Sequence, residues 1–240
     1  MNYQEMMSGI FLERPNRFRA QVLINGKEET VHVKNTGRCR ELLIPGAPVY
    51  LEKSNNPNRK TQYSLIAVQK GSILVNMDSQ APNAVAAEAL AAGKLHEIGM
   101  VDTYRREVTK GNSRFDLFFK KGKQEGFLEV KGVTLEEDGI ARFPDAPTLR
   151  GKKHLEELAQ LAKEGYLCAV LFLIQMKGCH LFCPHWERDL GFSQALVHAA
   201  SCGVKILVYD CVVTENSLSL DRPVPYDLSC PTDNCNQKSL

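Results

Sequence analysis

The run YLCAVLFLIQ, residues 166–175, constrains this chain more than any other segment. It is nearly continuously apolar yet far shorter than the roughly 20 residues a membrane-spanning helix needs. Such a run reads as a strand buried on both faces, which needs partner strands at its edges and covering layers above and below. The neighbouring sequence supplies them. RGKKHLEELAQLAKEG before it reads as a helix with Leu155, Leu158 and Leu161 as a core stripe, SQALVHAASCG after it reads as another, and VKILVYDCVVT as a further strand. Helix and strand alternate, so the second part of the chain is predicted to be an α/β domain with helices on both sheet faces.

The first part has a different texture. RFRAQVLI, EETVHVKN, APVYLEKS, QYSLIAVQK and SILVNMD read as short strands, and Asn25-Gly26 is a strong hairpin signal between the first two. Several short strands with Gly and Pro turns predict a small closed barrel. The texture changes near residues 78–82, where the alanine-rich AVAAEALAAGKLHEI begins a helix with Asn83 as its expected cap. The predicted organisation is a barrel over residues 1–80, an α/β domain over 81–228, and an unpatterned, disordered tail over 229–240.

Between that helix and the buried strand lies RFDLFFKKGKQEGFLEVKG, residues 114–132, which reads as two strands joined by a basic turn. Glu129 and Lys131 are two apart and share one strand face, with Leu128 and Val130 on the other. If the hairpin closes symmetrically about Gly122 and Lys123, Asp116 lies across from Glu129. Facing carboxylates repel, so a cation is needed between them. Hard oxygen ligands of this kind suit Mg²⁺ (or Mn²⁺), held by carboxylates together with substrate phosphates. Lys131 can then neutralise charge that develops in phosphoryl transfer. Glu88, on the polar side of the alanine-rich helix, can approach the same face as a further carboxylate. The alternative is an ordinary charged exterior on a half-buried hairpin.

The formal net charge of +2 is uninformative by itself, but its distribution is not. Arg14, Arg17, Arg19, Lys34, Arg38 and Arg40 crowd the barrel segment, with Asn35 and Thr36 able to hydrogen-bond phosphates, while residues 125–145 lean acidic. Arg150 and Lys153 stand at a helix start, where free amides already favour anions. The expected partner is a nucleic acid, bound largely without regard to sequence, because no recognition helix is spaced for base edges. Phe18 and Tyr50 are candidates for base stacking, with core packing the preferred alternative. His154 can serve as a general acid or base, or simply occupy the helix surface. The eight cysteines are scattered and read as reduced thiols. CHLFCPH lacks the paired knuckles of structural zinc, and its alternation turns Leu181 and Cys183 inward. The absence of a secretory signal or membrane run predicts a cytoplasmic location.

KNTGRC (34–39), SRFD, FLEVKGVTL and FPDAPTLRGKKHLEEL (143–158) occur in an order that resembles the SfsA family, the bacterial and archaeal sugar fermentation stimulation proteins. The resemblance runs over nearly the whole chain. It implies an OB-like barrel followed by a mixed-sheet domain like that of the PD-(D/E)xK nucleases, and a DNA-binding function. It also implies that Asp116 is the first acidic metal ligand, that Glu129 and Lys131 are the ExK pair, and that Glu88 is the helix carboxylate. Phe115 stands where the superfamily's name has proline. Two functions remain open at this level: a Mg²⁺-dependent nuclease using Glu88, Asp116, Glu129 and Lys131, or a non-catalytic DNA-binding regulator associated with sugar metabolism.

Overall fold

The computed structural model describes residues 1–35 and 37–231. Thr36 and the larger part of the predicted tail, 232–240, lie outside the described residues. Six strands open the chain: β1 (Met6–Asn16), β2 (Arg19–Ile24), β3 (Lys27–Val33), β4 (Pro48–Lys53), β5 (Tyr63–Lys70) and β6 (Ile73–Asn76). They pair in the order β3-β2-β1-β4-β5-β6, and a parallel pairing of β3 with β5 closes the first five into a barrel. The β2–β3 hairpin turns at Asn25 and Gly26, both at positive φ, as a two-residue hairpin turn requires. The long β1 was not expected from the sequence. Its residues alternate only weakly between core and solvent, so the period-2 signal is faint.

The second unit begins with α1 (Ala81–Ala91) and the strands β7 (Thr103–Lys110), β8 (Ser113–Lys121), β9 (Gln124–Val133), β10 (Leu135–Glu137) and β11 (Ile140–Phe143). It continues with α2 (Leu149–Lys163), β12 (Leu167–Ile174), β13 (Leu181–Pro184), α3 (Leu190–Ser201), β14 (Lys205–Thr214) and β15 (Ser217–Pro223). The main sheet is mixed, in the order β15-β14-β12-β9-β8-β7, with β12 parallel to both β9 and β14. Every β12 residue after Leu167 is buried, as the apolar run demanded. α1 covers one sheet face with Leu117, Leu128, Val130, Leu171 and Leu207. The α2 and α3 side packs Phe115, Phe127, Val170, Phe172 and Val208. The overall class is α/β: a small barrel followed by a mixed-sheet domain.

Three local expectations need correction. Asn83 is not the cap of α1. The helix starts earlier, with Gln80 at the cap position, no side-chain cap bond and a proline in its first turn. The stretch from Glu136 to Thr148, rich in Asp, Gly and Pro, reads from the sequence as a loop, but β10 and β11 form a short hairpin there whose second strand pairs in parallel with β13. In β13 it is Phe182 and Pro184 that are buried, while Leu181 and Cys183 are only half-buried. Parallel pairing with β11 and the ring of Phe172, 4.4 Å from that of Phe182, set that orientation.

The two units are joined through buried polar groups. The Asn76 backbone N–H donates to the Gln175 carbonyl at 2.9 Å. The Gln175 amide donates back to Asn76 Oδ1 at 2.9 Å and to the Asp78 carbonyl at 3.2 Å. At the rim, Lys70 Nζ donates to Glu136 Oε2 at 2.6 Å.

Candidate active site and nucleic-acid interface

The β8–β9 hairpin runs Lys121↔Gln124, Phe119↔Gly126, Leu117↔Leu128, the symmetric register read from the sequence. One further rung in that register would set Asp116 opposite Glu129, but the ladder stops at Leu117. Instead the Asp116 carboxylate takes over the work of the missing rung. Its Oδ2 accepts from the Val130 backbone N–H at 2.8 Å, and its Oδ1 accepts from the Asn83 side-chain amide at 2.7 Å. Burial, then the negative charge of Glu129, hold the Asp116 carboxyl above the ordinary aspartate value.

Glu129 is almost wholly buried, at 2% exposure. Its Oε1 accepts from Lys131 Nζ at 2.6 Å and from His154 Nδ1. Its Oε2 is buried and has no hydrogen-bond partner among the described residues. Burial pushes this carboxyl up, but the hydrogen bond from His154 and the charge and hydrogen bond of Lys131 outweigh it, so Glu129 ends below the ordinary value. Two carboxyls that repel one another are thereby driven apart in acidity, one raised and one lowered.

The predicted site residues are brought together in part. Asp116, Glu129 and Lys131 converge. Glu88 does not join them: it is exposed and its carboxylate accepts from the Met1 ammonium at 2.7 Å. The α1 residue that reaches Asp116 is Asn83. His154 is not a surface residue. It is 4% exposed, with Nδ1 on Glu129 and Nε2 accepting from Arg150 Nε at 3.4 Å. Asp116 and Glu129 fit a divalent cation, because an unpartnered carboxylate oxygen inside a protein is costly until something positive meets it. Among the described residues, no three His, Cys, Asp or Glu side chains are gathered as a complete metal cage.

The basic residues divide into two groups. Arg14 and Lys34 are committed to the fold. The Arg14 guanidinium donates to the carbonyls of Gly37, Arg38, Arg17 and Asn35, at 2.7–2.8 Å, so it shapes the 34–39 loop and is not available as a phosphate contact. Lys34 donates to the buried Asp78 at 2.7 Å. Asn35 Oδ1 accepts from the Gly37 N–H at 2.8 Å, leaving its amide group for other work. Arg17, Arg19, Arg38, Arg40, Arg150 and Lys153 are exposed. Lys153 also donates to the Asn112 carbonyl at 2.9 Å. Phe18 is half-exposed with the Arg17 guanidinium 5.5 Å from its ring centre, whereas Tyr50 packs against the core.

The exposed arginines line connected clefts. One of about 450 Å³ holds Arg17, Arg38 and Arg40. A second of about 500 Å³ shares Arg38 and Arg40 and adds Asp145 and Arg188. A third, small and polar at about 110 Å³, shares Asp145 and ends at Gly132, next to Lys131. The loop that follows β11 makes this join: an added Cβ on Gly37 would collide with the Asp145 carboxylate, so glycine lets the two loops touch. Arg188 escaped the sequence reading because it stands alone, 35 positions after Lys153, the last of the predicted site residues. Its guanidinium donates to the Asp145 carbonyl at 2.8 Å.

Fold and site together define a class of protein: a closed OB-type barrel joined to a mixed-sheet domain whose central hairpin carries an Asp…Glu-x-Lys cluster. Residues 12–77 match the family model described as the SfsA N-terminal OB domain, and residues 80–217 match the sugar fermentation stimulation protein RE domain. The chain belongs to the SfsA family. It is 56% identical over 232 residues to a sugar fermentation stimulation protein homolog of Alkaliphilus oremlandii, covering 95% of this chain and 99% of that one. It is 53% identical over 218 residues to a homolog of Desulfitobacterium hafniense, covering 91% and 94%. Its fold is similar to that of Pyrococcus furiosus SfsA, solved in complex with Ca²⁺, with a TM-score of 0.85, 26% identity and coverage of 95% and 98%.

Proposed function

We propose that this protein is a DNA-binding, Mg²⁺- or Mn²⁺-dependent phosphodiesterase of the PD-(D/E)xK type, acting in the cytoplasm on duplex DNA with little sequence preference. The observation that carries the reading is the buried, unpartnered Oε2 of Glu129 beside a carboxyl whose acidity it weakens. Asp116 and Glu129 would hold the cation. When bound, a divalent cation there supplies Lewis-acid stabilisation of charge on a phosphoryl group. Lys131 keeps its ammonium on Glu129, close enough to offer a second positive charge to a phosphate oxygen in the transition state. The Val130 N–H and the Asn83 amide hold Asp116 in place, so the site needs little rearrangement before it acts. The Ca²⁺ held by the Pyrococcus furiosus relative supports a divalent ion in this family. Arg17, Arg38, Arg40 and Arg188 line the clefts that lead to the end of β9, and they would follow a phosphate backbone.

The test is nicking of supercoiled DNA with Mg²⁺, Mn²⁺ or EDTA, comparing wild type with Asp116→Asn. Metal-dependent nicking by wild type alone is the expected result. Equal nicking by both proteins would place the activity elsewhere. One observation favours a second reading, a non-catalytic DNA-binding regulator linked to sugar metabolism: Glu88 lies outside the cluster, which leaves two carboxylates where the nuclease pattern has three. Intact DNA binding without nicking on any substrate would select that reading.

A further inference from the structure

His154 sits on Glu129 in a way the nuclease pattern does not require. The ring is 4% exposed, its centre lies 6.0 Å from that of Phe115, and both of its nitrogens are occupied. Arg150 Nε can only donate, and it points to Nε2 at 3.4 Å, so Nε2 must carry the lone pair and Nδ1 the proton. That proton is directed at Glu129 Oε1. Lys131 Nζ approaches the same oxygen at 2.6 Å. The other oxygen, Oε2, is buried and has no partner among the described residues. Both donors fall on one atom, and the asymmetry leaves the second, buried atom without a donor and able to accept a cation.

We propose that His154 is a positioning residue for Glu129: with Arg150 fixing its tautomer, it turns the carboxylate so that Oε2 is the oxygen presented to a divalent cation. The inference rests on the metal reading above and adds to it a residue of α2 that acts through Glu129. A carboxylate free to rotate would place either oxygen, or neither, toward the cation. Hydrogen-bonding partners behind a metal ligand typically change affinity by about 10- to 100-fold when removed. Phe115, in the position that gives the wider nuclease superfamily its proline, contributes by walling the imidazole in. In this role His154 acts through Glu129, without touching the substrate.

Calorimetric titration with Ca²⁺ tests this without any turnover, on wild type, His154→Asn, His154→Gln, His154→Phe and Arg150→Met. The Asn amide nitrogen takes nearly the place of Nδ1, whereas the Gln amide lies nearer that of Nε2. His154→Asn should keep most of the affinity. His154→Phe and His154→Gln should each lose about 10- to 100-fold. Arg150→Met alters only an exposed side chain, should keep the melting temperature, and should weaken Ca²⁺ by a smaller factor. This variant and the Asn–Gln comparison carry the test if His154→Phe does not fold. Wild-type affinity in His154→Phe, or equal losses in the Asn and Gln variants, would overturn the positioning role and leave the metal reading standing. Absence of Ca²⁺ binding by wild type would overturn both.

Discussion

The Asn83 side-chain amide donates to Asp116 Oδ1 at 2.7 Å, and this contact settles which side of α1 faces the paired carboxylates. Glu88 is five positions further on, about 140° around the helix, and points to solvent.

Glu88→Gln should therefore leave Ca²⁺ affinity and any nicking unchanged. It removes one exposed ion pair with the Met1 ammonium, worth about 0.2–1 kcal/mol. Asn83→Ala, five positions away, should instead weaken Ca²⁺ binding, because Asp116 loses one of its two fixed donors. Calorimetry on the two variants reads both outcomes, and a large loss in Glu88→Gln would restore the helix carboxylate to the site.

Lys34 and Arg40 lie on one loop yet should behave as opposites. Lys34→Met strips the fully buried Asp78 of its cation, and breaking a buried pair in this way costs about 3–5 kcal/mol. Arg40→Ala should leave the melting temperature where it is, weaken duplex binding and flatten its salt dependence. Thermal unfolding together with DNA titration at several salt concentrations separates the two.

Asp116 carries a pH dependence of definite sign. Burial, then Glu129, raise its folded-state carboxyl above the unfolded value. Its contribution to metal-free stability is fully present below the unfolded pKa and is lost as pH rises through the raised, folded one. A cation must displace that proton, so Ca²⁺ binding should fade on acidification before an ordinary carboxylate would titrate. Glu129, shifted the other way, stays ionised through this window. At about 100 times its dissociation constant Ca²⁺ should stabilise the fold by about 2.7 kcal/mol at pH 7.5. Melting curves between pH 7.5 and 5 should show this gain shrink, and a constant gain would contradict the assignment.

Glu136 has the opposite sign. The hydrogen bond from Lys70 pulls it below the ordinary value, helped by the Gly139 N–H and opposed by burial. Its stabilisation is present above the unfolded pKa and lost as pH falls through the depressed one. Lys70→Met should cost about 1.5–3 kcal/mol at neutral pH, the range for a hydrogen bond to a charged group. The cost should diminish in acid, as denaturant melts at pH 7 and pH 3.5 would show.

The hairpin register and the double burial of β12 were legible in the sequence because strand periodicity and apolar runs are local signals. The phase of α1 was not. Alanines surround it, so no polar stripe marks its outer side, and Pro82 moves its start ahead of the apparent cap at Asn83. The fate of the basic residues was equally hidden. Nothing in KNTGRC shows that Lys34 will meet Asp78 or that Arg14 will gather four carbonyls, because those partners are fixed by tertiary closure alone. β10 and β11, of three and four residues, carry too few positions to show a period.

Gln175 spans the seam between barrel and sheet, and the apolar interior runs through that seam without a break, from Val33 and Met77 to Val133, Ile174 and Met176. The two parts can be recognised separately by their sequences, yet neither owns its interior. Recombination that exchanged one barrel for another would have to carry the matching residues at 76 and 175 with it, or strand a buried amide. Mechanically the barrel and the sheet are one body, with a single interior sealed by the pair at 76 and 175.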